Sequence, residues 1–175
     1  MIVKSNVPTI SSVKPYSPLE LEGRDLYVRE GCYNCHSQMV RPLRFETVRY
    51  GEYSKSGEFV YDHPFQWGSK RTGPDLAREG GLRSNFWHFQ HMIRPKELSQ
   101  GSIMPAYPWL NEDDLSTDLT MNKIEAMQTL GVPYAANYSS RAVNDLKKQA
   151  HEIAVDIVNN IPGKKLSKAQ KEWKD

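Results

Sequence analysis

The sequence predicts an all-α fold on three observations. A capping box opens a helix at Ser17, apolar residues recur at steps of three and four in three later stretches, and nowhere do strand patterns alternate with helical ones. In Ser17-Pro18-Leu19-Glu20 the serine caps, the proline suits the first helical position and the glutamate completes the box. Gly31 is the expected stop. Leu19, Gly23, Leu26 and Tyr27 share one helix face, and a mid-helix glycine costs about 1 kcal/mol relative to alanine, so Gly23 is expected to permit a close crossing. From Arg41 to Thr72 the periodicity lapses, and a long surface excursion with up to two short strands is expected rather than a helix. Asn85 to Ile93 reads as a short helix, with Phe86, Phe89 and Ile93 in line, Ser84 or Asn85 as cap and Pro95 as its end. Gly101, Pro105 and Pro108 make Gln100 to Leu110 a stiff loop. Thr120 to Leu130 is helical by Ile124, Met127 and Leu130, with Gly131 as its stop. Val143, Leu146, Ala150, Ile153, Ile157 and Ile161 mark the clearest amphipathic helix, and a lysine-rich tail, 163–175, is expected to fray.

Among 175 residues, 23 Lys+Arg stand against 21 Asp+Glu, and a net charge of +2 predicts no polyanion partner and no nucleic acid. At 38% hydrophobic and a mean hydropathy of −0.67, the chain is poor in the apolar mass that fills a core, so another filler is expected. No stretch approaches the roughly 18 consecutive apolar residues of a membrane span, and MIVKSNVPTI lacks the apolar centre of a secretory signal. Two cysteines exclude a disulfide-rich scaffold.

Those cysteines lie in Cys32-Tyr33-Asn34-Cys35-His36, the pattern of c-type haem attachment, in which two thiols add to the porphyrin vinyl groups and the adjacent histidine reaches the iron. Such a macrocycle is also the missing core filler. A thioredoxin-like dithiol would follow a strand, whereas a capped helix precedes this one. A structural zinc on Cys32, Cys35 and His36 would want a second ligand pair, and no further cysteine exists. For the sixth iron ligand Met39 lies too near His36, Met92 ends the short helix, and Met121 and Met127 read as packing residues. Met104, followed by Pro105 in the stiff loop, is favoured, and a thioether there raises the reduction potential and closes the iron to outside ligands. His88 and His91, three apart on one helix face, are the rival ligands, and His63 and His151 read as surface or packing residues. Arg41, Arg44, Arg49 and Arg71 are candidates for pairing with haem propionates, though solvated or subunit-facing roles are the default. Trp67, Trp87 and Trp109 could equally pack on the macrocycle or in the core, and Glu112, Asp113, Asp114 and Asp118 form a local negative patch.

With that motif, Arg71-Thr72-Gly73-Pro74-Asp75-Leu76 and Ser102-Ile103-Met104-Pro105-Ala106-Tyr107 in order, the chain resembles a class I cytochrome c domain. Glu30-Gly31-Cys32-Tyr33-Asn34-Cys35-His36-Ser37-Gln38-Met39 and the run from Tyr61 to Leu76 look like subunit II of the cbb3-type cytochrome c oxidase, its mono-haem subunit. The likeness covers roughly Pro8 to Tyr134. It implies a linker at 1–16 behind a missing membrane anchor, a cytochrome c domain at 17–134 with an insertion at about 37–72, and a helical extension at 135–162. The first helix would cross that of Thr120 to Leu130. It further implies one covalent haem c on Cys32 and Cys35, axial ligands His36 and Met104, and a Pro74 carbonyl that accepts from the His36 imidazole. Electrons would come from cytochrome c-type donors, commonly through the di-haem subunit, and leave for the catalytic subunit. The domain would sit in the periplasm on the bacterial inner membrane, with no oxygen chemistry of its own.

Family members begin with a membrane-spanning anchor, whereas Met1 here leads directly toward SNVPTI, so a soluble fragment is expected. Made without export, it would be haem-free, with its thiols free or bridged, the loops around Met104 without their central packing partner, and large parts open to rearrangement or pairing between copies. Two other classes stay open. An open-site haem peroxidase or sensor predicts a sixth ligand other than Met104, and a haem-free thiol protein predicts no haem even after export.

Overall fold

The computed structural model describes residues 10–161, so the expected tail and most of the N-terminal linker lie outside the described residues. Among the described residues there are seven α-helices and no strand. They are α1 (Pro18–Arg29), α2 (Arg44–Tyr50), α3 (Asn85–Ile93), α4 (Pro95–Leu98), α5 (Trp109–Glu112), α6 (Thr120–Thr129) and α7 (Ala142–Asn159). None of them is long and apolar enough to cross a membrane.

The capping box forms as read, with Ser17 N donating to Glu20 Oε2 at 2.7 Å and Glu20 N donating to Ser17 Oγ at 3.4 Å. Ser84 caps α3, its Oγ accepting from Trp87 N at 3.2 Å. Gly131, at φ +90°, follows α6 as a left-handed stop.

The buried face of α1 is Pro18, Leu21 and Glu22, not the predicted row of Leu19, Gly23, Leu26 and Tyr27. Leu21 joins Ile124, Met127, Val132 and Ala142 in one core cluster, edged by Tyr16, Tyr61, Tyr134 and Tyr138. Burying such a leucine contributes about 1.5–3 kcal/mol. Glu22, 4% exposed, sits at the same seam, where Thr120 Oγ1 donates to it at 2.7 Å and Lys123 Nζ at 2.5 Å. A buried charge is tolerated only when paired and hydrogen-bonded, and here α6 supplies both partners. The predicted role of Gly23 fails, because a Cβ built there meets nothing within 4 Å. α7 lies against α1 and α3, with Ser17 Oγ donating to Gln149 Oε1 at 2.7 Å and Asn85 Nδ2 donating to Asp156 Oδ2 at 2.9 Å.

The stretch from Arg41 to Thr72 is also corrected. It holds α2 and a 3-10 turn at Ser56–Phe59 instead of strands. Its periodicity is hidden because α2 is inverted: Glu46 is the buried residue, at 1% exposed, while Phe45 and Val48 are 66% and 79% exposed. Arg24 Nη1 donates to His63 O at 2.9 Å and ties the end of this excursion to α1.

Candidate functional site

The Cys-x-x-Cys-His segment follows directly from the end of α1. Gly31 turns the chain at φ +70°, and a 3-10 turn over Cys32–Asn34 follows, with Asn34 N donating to Gly31 O at 2.9 Å and His36 N to Cys32 O at 2.9 Å. This winding sets both half-buried thiols and the imidazole on one turn, and both cysteines are free. Burial pushes the Cys32 thiol above its ordinary range, and the charges of Glu30 and Cys35 add to it. A reactive dithiol needs the opposite shift.

The His36 ring is oriented from behind. Its Nδ1 donates to the Pro74 carbonyl at 2.8 Å, as the resemblance implied. A carbonyl only accepts, so Nδ1 carries a proton and the bond orients the ring. Gly73 lies against the ring so closely that a Cβ would stand 2.3 Å from Cε1 and 2.7 Å from Nε2. Tyr27, whose hydroxyl is pushed up to about 12 by burial with the nearby Cys32 adding to it, donates to the His36 carbonyl at 3.0 Å. No sequence signal pointed to this contact, since Tyr27 read only as one residue of a helix face.

Met104 is half-buried in the loop after α4. Its N–H donates to Ser102 Oγ at 3.2 Å, and Tyr107 N donates to Met92 O at 2.8 Å, fastening the loop to the end of α3. With Ile93, Pro95 and Ile103 it lines a cavity of about 390 Å³. The structure therefore brings Cys32, Cys35, His36 and Pro74 together, while no hydrogen bond links Met104 to that group.

The rival histidines differ from each other. His91 stacks on Trp87 with ring centroids 4.5 Å apart, and Arg83 covers the other aromatic neighbour position over Trp87 at 4.4 Å. His91 Nδ1 is buried with no hydrogen-bond partner. Burial, with the neighbouring His36, His88 and Arg83, holds the His91 imidazole below its ordinary pKa. His88 meets Trp87 edge-on at 5.2 Å.

Of the arginines, Arg41 and Arg71 are engaged within the protein. Both bond Glu46, and Arg71 adds the Met39 carbonyl at 2.8 Å, leaving its Nε buried without a partner. Trp67 stacks on Phe65 at 4.4 Å, and Trp109 Nε1 donates to Glu30 at 3.1 Å. The acidic residues 112–114 and 118 are exposed.

Among the described residues no group of three or more His, Cys, Asp or Glu side chains is arranged to hold a metal ion, Cys32, Cys35 and His36 included. A c-type haem asks for a different set: two thiols on one turn and an adjacent imidazole whose other nitrogen is hydrogen-bonded from behind. The residues present fit that group.

A family model described as Cytochrome C oxidase, mono-heme subunit/FixO matches residues 1–174. The chain belongs to this family. A search of curated proteins finds no significant match. Membership in the family makes this chain a mono-heme subunit of a cytochrome oxidase, working in electron transfer beside other subunits of a membrane-associated complex.

Proposed function

We propose that this chain carries one covalent haem c and relays electrons within a cbb3-type oxidase, from cytochrome c-type donors and the di-haem subunit toward the catalytic subunit, on the periplasmic face of the inner membrane. The observation that carries the reading is the His36 Nδ1 to Pro74 bond beside the two free thiols. Bound there, the haem supplies one-electron redox chemistry at its iron. Cys32 and Cys35 would hold the macrocycle as thioethers, and His36, through Nε2, and Met104 would ligate its iron. Pro74 fixes the imidazole plane, and the bond it accepts makes Nε2 a better donor. The proline-stiffened loop would hold the Met104 thioether in place against water and outside ligands. This is a cytochrome c fold with an insertion at 37–72 and a C-terminal helical extension, and it performs no oxygen chemistry itself.

The test is an oxidised and reduced absorption spectrum of the chain matured in a periplasm with haem-attachment machinery, alongside Met104→Ala. A low-spin haem c spectrum is expected, with a weak far-red ferric band that Met104→Ala abolishes. A band that survives Met104→Ala removes Met104 from the site. Its absence in the parent chain, with cyanide or carbon monoxide binding at low concentration, supports the open-site peroxidase or sensor instead.

A further inference from the structure

Directly after Pro74 stands Asp75, a buried carboxylate at 3% exposed. Its Oδ2 accepts from Ser37 Oγ at 2.6 Å and from Met39 N at 2.9 Å, and its Oδ1 accepts from Ala77 N at 2.9 Å. One side chain thus ties the backbone leaving His36 to the backbone that carries Pro74. Two backbone bonds close the same seam, Gly73 N to Cys35 O at 2.9 Å and Leu76 N to Ser37 O at 2.8 Å. Arg71 Nη2 lies 3.5 Å from Asp75 Oδ2, donates to Met39 O at 2.8 Å, and bonds Glu46 at 2.7 Å, so α2 supports the seam from outside.

We propose that Asp75, backed by the Arg71–Glu46 pair, is the positioning residue that keeps the Pro74 carbonyl on His36 Nδ1 and thereby sets the orientation and basicity of the axial imidazole. The proposal rests on the haem reading above. The physical chain is short. A carbonyl held at hydrogen-bond distance increases electron donation from Nε2, which favours the ferric state and lowers the reduction potential. A carboxylate with three donors, buried where water cannot replace them, holds that distance more firmly than the two backbone bonds alone.

The experiment uses the full chain in two forms, carrying Asp75→Ala, Asp75→Asn, Ser37→Ala or, as a control, Glu22→Gln at a buried carboxylate of the α1–α6 seam. In the matured chain the midpoint potential and the low-spin electron-paramagnetic-resonance g values are measured. In the haem-free chain the exchange rate of the His36 Nδ1 proton is read by nitrogen-edited NMR. Asp75→Ala should raise the potential, alter the g values and speed Nδ1–H exchange. Asp75→Asn should recover part of each change, because its amide oxygen still accepts from Ser37 and Met39, and Ser37→Ala should give a smaller shift of the same sign. Glu22→Gln should lower stability and move none of the three. The proposal is overturned if the Asp75 variants lose stability with potential, g values and exchange unmoved, or if Glu22→Gln moves them equally. A parent chain that binds no haem through His36 defeats the haem reading separately, and the exchange arm still decides whether Asp75 positions the ring.

Discussion

At the residue scale the most exacting position is Gly73. Its backbone is not in the left-handed region, so the glycine is there for space: the His36 ring occupies the volume of a Cβ. Gly73→Ala must displace the imidazole or the loop, and overpacking of this kind costs about 1–3 kcal/mol. The expected outcome is a weaker His36–Pro74 bond, seen as faster Nδ1–H exchange, and a low yield of haem-bearing chain. Full haem loading with unchanged exchange would show that the loop yields freely. A second residue has a pH signature. Burial raises the Asp62 carboxyl above its ordinary pKa, outweighing the Tyr16 hydroxyl bond and the charges of Arg24 and His63. The folded chain thus binds this proton more tightly than the unfolded one, and the stability it contributes at low pH is lost as pH rises through the folded pKa. Asp62→Asn should therefore melt higher than the parent at pH 7, with the gap closing as pH falls below the ordinary carboxylate range. Melting curves across pH check it, and a lower melting temperature for Asp62→Asn at pH 7 would reverse the sign.

At the element scale α2 is held by the charged contacts of its one buried residue, Glu46. Burial pushes the Glu46 carboxyl up, but the backbone and side-chain bonds from Arg41 and the charge of Arg71 outweigh it and hold the pKa below the usual value. That stability is present above the ordinary carboxylate pKa and is lost as pH falls through the lowered folded value. Glu46→Gln leaves two guanidinium groups without their shared carboxylate and should cost about 3 kcal/mol at neutral pH. Urea titration measures it, and the cost should shrink in acid, where Glu46 of the parent is itself protonated. The same helix explains what could be read beforehand. α1 announced itself through its capping box, α3 and α6 through a cap or stop and their periodicity, and α7 through periodicity alone, all of them local signals. α2 did not, because its inward residue is a glutamate and its outward ones are Phe45 and Val48, which reverses the rule that periodicity relies on. Likewise Cys32, Cys35 and His36 form a contiguous motif, whereas Asp75 and Ser37 are 38 residues apart and only the fold makes them partners. Glu22 misled the reading of α1 for the same reason, since Thr120 and Lys123 that neutralise it lie on α6.

At the scale of the whole molecule, buried apolar mass is distributed unevenly. Leu21, Ile124, Met127, Val132 and Ala142 unite α1, α6 and the start of α7. Across α3, α4 and α5 the only buried residue is Pro95, while Phe86, Phe89 and Ile93 stay half-buried. A segment with few buried contacts opens locally at low free energy unless something else covers it. In the proposed reading Cys32 and Cys35, which follow α1, and Met104, in the loop after α4, would hold the haem from both halves, so maturation should stabilise them unequally. Amide exchange of the haem-free chain is expected to show slow exchange in α1 and α6 and fast exchange through α3 and the Met104 loop. In the matured chain the latter should become protected, while α1 and α6 change little. Reducing the haem should protect them further, because a thioether binds ferrous iron more tightly than ferric, the same preference that raises the potential. Equal protection of α3 and the Met104 loop with and without haem would mean that this half is self-supporting, and the cofactor would then lose its place as the filler of a core that the low hydropathy of the chain leaves incomplete.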